Sequence, residues 1–171
     1  MLGFEFTVCP AKGEEKADAG LPPQELVCAL SSAKAEEVAA KYPDSLVIAA
    51  DTIVWADGEV LGKPKTEADA VRMLRMLSGR SHKVFTGLCV MGDGKKLSEA
   101  EETEVCFRAL SEEEINAYVA TGEPMDKAGA YGIQGKASVF VEGIKGDYYN
   151  VMGLPLCRLG EILKSIGVRL L

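Results

Sequence analysis

LVIAADTIVW, residues 46–55, is the stretch of sequence that decides the fold. Its first five residues are apolar without interruption, which predicts a strand buried on both faces. Strand character resumes after Asp51 and Thr52. Asp57-Gly58 is a turn signal, and residues 59–61 are predicted to return as the second strand of a hairpin. This stretch therefore belongs to the middle of a sheet.

The rest of the chain alternates between helix and strand patterns. Helical spacing with start and stop signals predicts helices over residues 22–41, 66–79, 111–122 and 155–166. Alternating or β-branched runs predict strands over 4–9, 83–91, 103–109 and 138–144. The chain shows no internal repeat and no linker. We therefore predict one α/β domain over residues 1–171, with a mixed sheet.

Composition restricts the classes of function. The 171 residues carry a formal net charge of -7, which disfavours a broad nucleic-acid surface. A small anionic ligand would need a local pocket of Lys or Arg, helped by a bound cation. The five cysteines are scattered and include no Cys-x-x-Cys pair, which argues against disulfides and thiolate metal sites. Because no signal peptide or membrane-spanning stretch is evident, we expect a cytoplasmic protein without membrane partners.

Asp51 is the first candidate site residue. An ionised carboxylate after an apolar strand is costly unless it is paired, metal-bound or at the open end of the strand. Open α/β sheets bind ligands at the carboxyl ends of their strands, so we expect Asp51 at such an end. The alternative is a structural carboxylate that caps a neighbouring helix or pairs with a lysine.

Three further features could complete a site around Asp51. Lys63 follows the predicted hairpin, which could return it to this neighbourhood. Lys34 lies among small residues of the first helix, which would let that helix approach a ligand closely. For each lysine the alternative is a solvated surface position. In GAYGIQG, residues 129–135, the glycines would let backbone amides approach a ligand while Gln134 reads a base; the alternative is a tight structural loop.

Several mechanisms are excluded. His82 is the only histidine, so zinc sites rich in histidine are not available. A Ser-His-Asp triad would need His82, and the chain has no Gly-x-Ser-x-Gly elbow. Residues 129–135 lack the Gly-Lys-Ser/Thr ending of a P-loop. We predict that His82 is structural.

Six stretches, taken in order, form a family pattern. They are AADT at residues 49–52, GEVLGKP at 58–64, LSGRSH at 77–82, EPMDKAGAYGIQG at 123–135, GDYY at 146–149 and VMGLP at 151–155. Together they closely resemble the Maf family of nucleoside triphosphate pyrophosphatases, over nearly the whole chain. The resemblance implies a three-layer α/β fold with a central cleft, related to inosine triphosphatases. It also implies a house-cleaning hydrolase, and IQG at 133–135 resembles the branch that acts on dTTP, UTP and modified pyrimidine nucleotides.

The resemblance further implies site residues, a metal and partners. Asp51 matches the family's catalytic proton acceptor, and Asp51 and Glu15 are expected to hold a divalent cation, Mg or Mn. The expected substrate-binding residues are Lys34 and Lys63 for phosphate, Thr52 and Gln134 for substrate choice, and Lys127. The expected partner is a nucleoside triphosphate, and a homodimer is suggested by resemblance alone.

The start of the chain departs from the family pattern. Family members begin with a strand that ends in a Ser-x-Ser-Pro-Arg-Arg motif, followed by a helix, whereas Met1-Leu2-Gly3-Phe4 matches the segment after that helix. We expect an N-terminally truncated domain, from a misplaced start or a genuine short form. The alternatives to pyrimidine hydrolysis are a weak or inactive nucleotide-binding or regulatory protein, and a purine pyrophosphatase acting on ITP or XTP.

Overall fold

The structure is a computed structural model that describes residues 5–13 and 20–169. Its strands are Val47–Ala56 (β1), Glu59–Leu61 (β2), Ser81–Gly92 (β3), Lys95–Phe107 (β4) and Val141–Lys145 (β5). Its helices are Pro23–Ala39 (α1), Glu67–Leu77 (α2), Glu112–Val119 (α3), Tyr148–Val151 (α4) and Leu156–Ser165 (α5). Short 3₁₀ turns cover Glu123–Asp126, Ala128–Ala130 and Lys136–Phe140. The strands form one sheet in the order β2-β1-β3-β4-β5.

The sheet confirms the α/β class, and its direction has a local cause. Both residues of the Asp57-Gly58 turn and of the Asp93-Gly94 turn have positive φ, as two-residue hairpins require. Such turns make β2 antiparallel to β1, and β4 antiparallel to β3. All strand pairs in the described residues are antiparallel, whereas the sequence predicts a mixed sheet.

Asp51 lies in the interior of β1 and not at its carboxyl end, so the predicted position is wrong. The strand pairs with β3 without a break from Val47 to Trp55, because the β-branched residues after Asp51 continue the ladder. The first half of β1 is also not buried on both faces, since Ile48 is 43% exposed. Pairing with β3 therefore places the Asp51 carboxylate in the middle of a strand.

Helices cover both faces of the sheet, as the expected three-layer arrangement requires. On one face α1 comes so close that a Cβ at Gly87 would lie 2.2 Å from the Val27 carbonyl oxygen. On the other face, Val84 and Phe107 belong to the main core cluster, which α2, α3 and the 3₁₀ turns complete. The close approach at Gly87 determines how near α1 lies to β1.

Local signals set the helix boundaries well. Thr66 accepts a hydrogen bond from the Asp69 N–H, and Ser111 with Glu114 forms the predicted capping box. None of the described helices is long and apolar enough to cross a membrane. The predicted first strand is wrong in its described part, because residues 5–9 have no regular structure and Phe6 is 83% exposed.

Candidate active site

A cleft of about 1160 Å³ opens beside β1. β2 pairs only with the last three residues of β1, so among the described residues no strand pairs with that edge from Val47 to Ile53. The walls come from α1, from β1, from the segment after β2, from the loop at residues 123–135 and from residues 151–153. The cleft brings together six of the predicted site residues: Lys34, Asp51, Thr52, Lys63, Lys127 and Gln134. Glu15 lies outside the described residues.

Asp51 and Lys34 form an ion pair in the wall of the cleft. The Lys34 ammonium donates a hydrogen bond to Asp51 Oδ1, and the side chains are 28% and 11% exposed, respectively. The pair forms because α1 packs closely on this face of the sheet, where Ala35 is fully buried. Asp51 thus pairs with a lysine, as the structural alternative expected. Because the pair lines the cleft, the ammonium and the carboxylate can both contact a ligand.

Thr52 lies on the opposite face of the sheet from Asp51, because successive strand residues alternate. Its hydroxyl lies 2.8 Å from the Thr86 hydroxyl, directly across the β1–β3 ladder. Gly153 is next to it, since a Cβ there would lie 3.3 Å from Thr52 Oγ1. The cleft therefore extends around the edge of β1 that no described strand covers, with Asp51 and Lys34 on one face and Thr52 on the other.

Two more lysines line the cleft, Lys63 on the segment after β2 and Lys127 on the loop after α3. The Gly129 N–H donates to the Gly62 carbonyl at 3.1 Å, which ties this loop to the segment that carries Lys63. Lys127 donates to Asp126 at 2.6 Å. This hydrogen bond lowers the pKa of the Asp126 carboxyl, and the charge of Lys63 lowers it further. The ion pair between Lys127 and Asp126 is exposed, so Lys127 can leave the Asp126 carboxylate for a phosphate at a small cost in free energy.

Gln134 is held at the cleft by a clamp that sequence reasoning missed. Glu123 accepts the Lys136 N–H at 2.9 Å and the Tyr118 hydroxyl at 3.1 Å. Tyr118 in turn accepts the Gly132 N–H at 3.3 Å. Both ends of the segment that presents Gln134 are thus fixed by one carboxylate and one phenol, while Gln134 itself stays exposed.

The regularly spaced glycines are needed for the close packing of this loop. A Cβ at Gly135 would lie 1.9 Å from Glu123 Oε1, and one at Gly129 would lie 2.8 Å from a Val54 methyl group. These contacts support the alternative of a tight structural loop. The glycine spacing was the only signal in the sequence for the clamp.

His82 is a core residue, as predicted. It is 3% exposed, its Nε2 lies 2.8 Å from the Tyr131 hydroxyl, and its ring makes edge contacts with Phe107 and Tyr131. Burial lowers the pKa of the imidazole to about 4. A neutral ring in this position supports the Tyr131 wall of the cleft.

The donor set of the cleft fits a cation shared with substrate. No group of three or more His, Cys, Asp or Glu side chains suited to a metal occurs in the described ranges 5–13 and 20–169. Glu59 pairs with Arg72, and Glu123 is engaged by its own loop. Asp51 pairs with Lys34, and both of these residues line the cleft. Magnesium commonly binds through one or two carboxylates together with substrate phosphates. One cleft carboxylate beside lysines is compatible with that mode of binding.

The sequence comparison agrees with this geometry. The model of the Maf family, described as "Maf-like protein", matches residues 1–166. The chain belongs to the Maf family. Curated Maf-family relatives support the same assignment. The dTTP/UTP pyrophosphatase of Koribacter versatilis is 53% identical over 163 residues, which are 95% of this chain and 84% of the relative.

Two further Maf relatives carry the same name. The dTTP/UTP pyrophosphatase of Moorella thermoacetica is 51% identical over 169 residues, 98% of this chain and 87% of the relative. That of Methanosarcina barkeri is 48% identical over 170 residues, 98% of this chain and 86% of the relative. All three relatives are therefore similar to this chain over nearly its whole length.

Proposed function

We propose that this Maf-family chain hydrolyses the pyrimidine nucleoside triphosphates dTTP and UTP, and modified forms of them, to the monophosphate and pyrophosphate. The observation that carries the proposal is the Asp51–Lys34 pair in a cleft shared with Lys63, Lys127 and Gln134. The names of the relatives, dTTP/UTP pyrophosphatase, support the substrate class.

Asp51 is the proton acceptor in this proposal. Water forms a bond to the α-phosphorus as the bond to the bridging oxygen of pyrophosphate breaks, and the proton of the water passes to the carboxylate. Lys34 holds that carboxylate by its hydrogen bond to Oδ1. Because the Asp51 side chain is only 11% exposed, its orientation is restricted, which favours alignment of the attacking water.

The lysines offset the charge of the triphosphate. The chain as a whole is acidic, with a formal net charge of -7, so local cations are needed to attract an anionic ligand. Lys34 comes from α1, Lys63 from the segment after β2 and Lys127 from the loop after α3, and all three line the cleft. Ammonium groups placed where negative charge develops on the pyrophosphate leaving group lower the barrier.

A divalent cation, Mg or Mn, is proposed as the cofactor. Asp51 would hold it together with the phosphates, and Glu15, outside the described residues, is the second proposed ligand. When bound, such an ion neutralises phosphate charge and polarises the phosphoryl oxygens. Chelation should therefore abolish pyrophosphate release, and added magnesium or manganese should restore it.

In this proposal, one face of β1 binds the phosphates and the other binds the base. Asp51 and Lys34 on the α1 face suit the phosphates, whereas Thr52 on the other face and Gln134 in the loop at residues 123–135 present neutral groups that suit a base. A nucleotide bound around the edge of β1 that no described strand covers would reach both faces. The cytoplasm remains the proposed compartment, and a homodimer stays a prediction that sedimentation in solution would test.

The direct test is pyrophosphate release from a panel of triphosphates with magnesium. We expect turnover of dTTP and UTP, with ITP and XTP at least tenfold slower, about 1.4 kcal/mol of discrimination. Faster turnover of ITP or XTP would favour the purine reading. Binding of UTP without turnover by demonstrably folded protein would favour a regulatory protein and contradict the proposal.

A further inference from the structure

A chain of hydrogen bonds connects the cleft to a buried asparagine. Thr52 Oγ1 lies 2.8 Å from Thr86 Oγ1. The Thr86 hydroxyl donates to the main-chain carbonyl of Asn150 at 2.9 Å. Asn150 is fully buried, and its side-chain amide donates to the Val84 carbonyl at 3.1 Å and to Thr103 Oγ1 at 3.0 Å. The chain of bonds thus crosses β1, β3 and β4 and ends in α4.

The direction of each proton along this chain is determined. A hydroxyl has one proton to donate, and a carbonyl oxygen can only accept. Because Thr86 gives its proton to the Asn150 carbonyl, it can only accept from Thr52, so Thr52 is the donor of the bond that joins them. Thr86 is fully buried, which leaves no solvent to take over either role.

Asn150 is oriented by the same reasoning. The side-chain amide of Asn150 has two hydrogen-bond partners, the main-chain carbonyl of Val84 and Thr103 Oγ1. The Val84 carbonyl can only accept, so it must receive an N–H. Thr103 gives its own proton to the Asp147 carbonyl at 2.9 Å, so it accepts from the asparagine amide. The amide nitrogen therefore faces the sheet, and α4 is fixed in the position that holds the acceptor for Thr86.

The consequence appears at the cleft. With its proton directed inward, the Thr52 hydroxyl presents only lone pairs to a ligand. Phosphate oxygens also only accept, so this position disfavours phosphate and favours a ligand group that carries a proton. Gly153 keeps the space beside Thr52 open, since a Cβ there would lie 3.3 Å from Oγ1.

We propose that Thr86 and Asn150 are positioning residues that fix the Thr52 hydroxyl as a hydrogen-bond acceptor, and so select a pyrimidine with a ring N–H over one without it. Uracil and thymine carry a proton on N3, whereas N3 of cytosine is itself an acceptor. Two acceptors facing each other in a partly buried site leave a hydrogen bond unmade. This inference rests on the proposed function, and it specifies which atom of the base is recognised.

The experiment measures affinity without requiring turnover. The α,β-methylene analogues of UTP, CTP and 3-methyl-UTP are titrated into the full chain with magnesium by calorimetry. The native protein should bind the UTP analogue at least tenfold more tightly than either of the other two. Thr86→Val and Thr86→Ala remove the hydroxyl and free the Thr52 proton, so the ratio of UTP to CTP affinity should fall about tenfold, or about 1.4 kcal/mol.

Matched controls separate this effect from unfolding. Thr86→Ser keeps the hydroxyl and should retain the native ratio within about twofold, and thermal melting identifies any variant that does not fold. Thr52→Val should lower the ratio as Thr86→Val does, and the double variant should lower it no further. An unchanged ratio in folded Thr86 variants, or a 3-methyl analogue that binds as tightly as the UTP analogue, overturns the proposal. Pyrophosphate release is measured separately, so its absence would contradict the proposed function and leave the binding ratios to decide this inference.

Discussion

Protonation of His82 should destabilise this protein in mild acid. Burial lowers the pKa of the imidazole from 6.5 to about 4. Because the folded pKa is depressed, the unfolded chain binds a proton first as the pH falls. The contribution of the neutral ring to stability is therefore complete above pH 6.5 and is lost between pH 6.5 and pH 4. The two pKa values give a loss of about 2 kcal/mol at pH 5 and about 3 kcal/mol at pH 4, relative to pH 7.

Urea unfolding at pH 7, 6, 5 and 4 tests this magnitude against His82→Gln. The glutamine amide can still reach the Tyr131 hydroxyl, whereas it does not titrate. Carboxylates contribute equally in both proteins, so the difference in unfolding free energy between native and variant isolates His82. We expect this difference to shift by about 3 kcal/mol in favour of the variant from pH 7 to pH 4. Parallel pH profiles would show that the buried ring has no depressed pKa.

Three substitutions test the packing and the charge of the cleft, and a fourth serves as a control. Gly87→Ala places a Cβ 2.2 Å from a carbonyl oxygen of α1, so chemical unfolding should show a loss of roughly 3 kcal/mol; an unchanged stability would mean that α1 does not pack there. Gly135→Ala places a Cβ 1.9 Å from the Glu123 carboxylate, and it should raise the KM for UTP roughly tenfold. The control is Gly143→Ala, which has nothing within 4 Å of its Cβ and should leave this KM unchanged. Equal effects of the two variants on the KM would refute the role of the Glu123 clamp. Lys34→Met should lower kcat/KM for UTP on the order of a hundredfold, and steady-state kinetics showing less than a twofold change would remove Lys34 from the site.

Local chemistry explains what the sequence could predict of the fold. The Asp57-Gly58 turn and the capping box at Ser111 depend on neighbours two or three residues away, and both form as predicted. Asp51 was misplaced because a charge after an apolar run was interpreted as the end of a strand. The ladder to β3 continues through it, and nothing near Asp51 in sequence signals that pairing.

The residues of the candidate site could be predicted from the sequence, whereas the contacts that support them could not. The family resemblance predicted six residues that share the cleft: Lys34, Asp51, Thr52, Lys63, Lys127 and Gln134. The supporting contacts could not be predicted. Thr86 and Asn150 are 64 residues apart, and Asn150 and Val84 are 66 apart, so their hydrogen bonds exist only once strand register and α4 are in place. Neither Thr86 nor Asn150 stands out in composition or spacing.

The most direct test of the account is the kcat of Asp51→Asn on UTP with magnesium. Loss of the proton acceptor should lower kcat by about 10²–10⁴-fold. The unfolding free energy should stay within about 1 kcal/mol of the native value, because the asparagine amide oxygen has the same shape and can still accept the hydrogen bond from Lys34. Glu59→Gln is the matched control, because Glu59 also lines the cleft but pairs with Arg72, and it should retain native kcat. An Asp51→Asn protein that turns over UTP as fast as Glu59→Gln would contradict the assignment of Asp51 as the base.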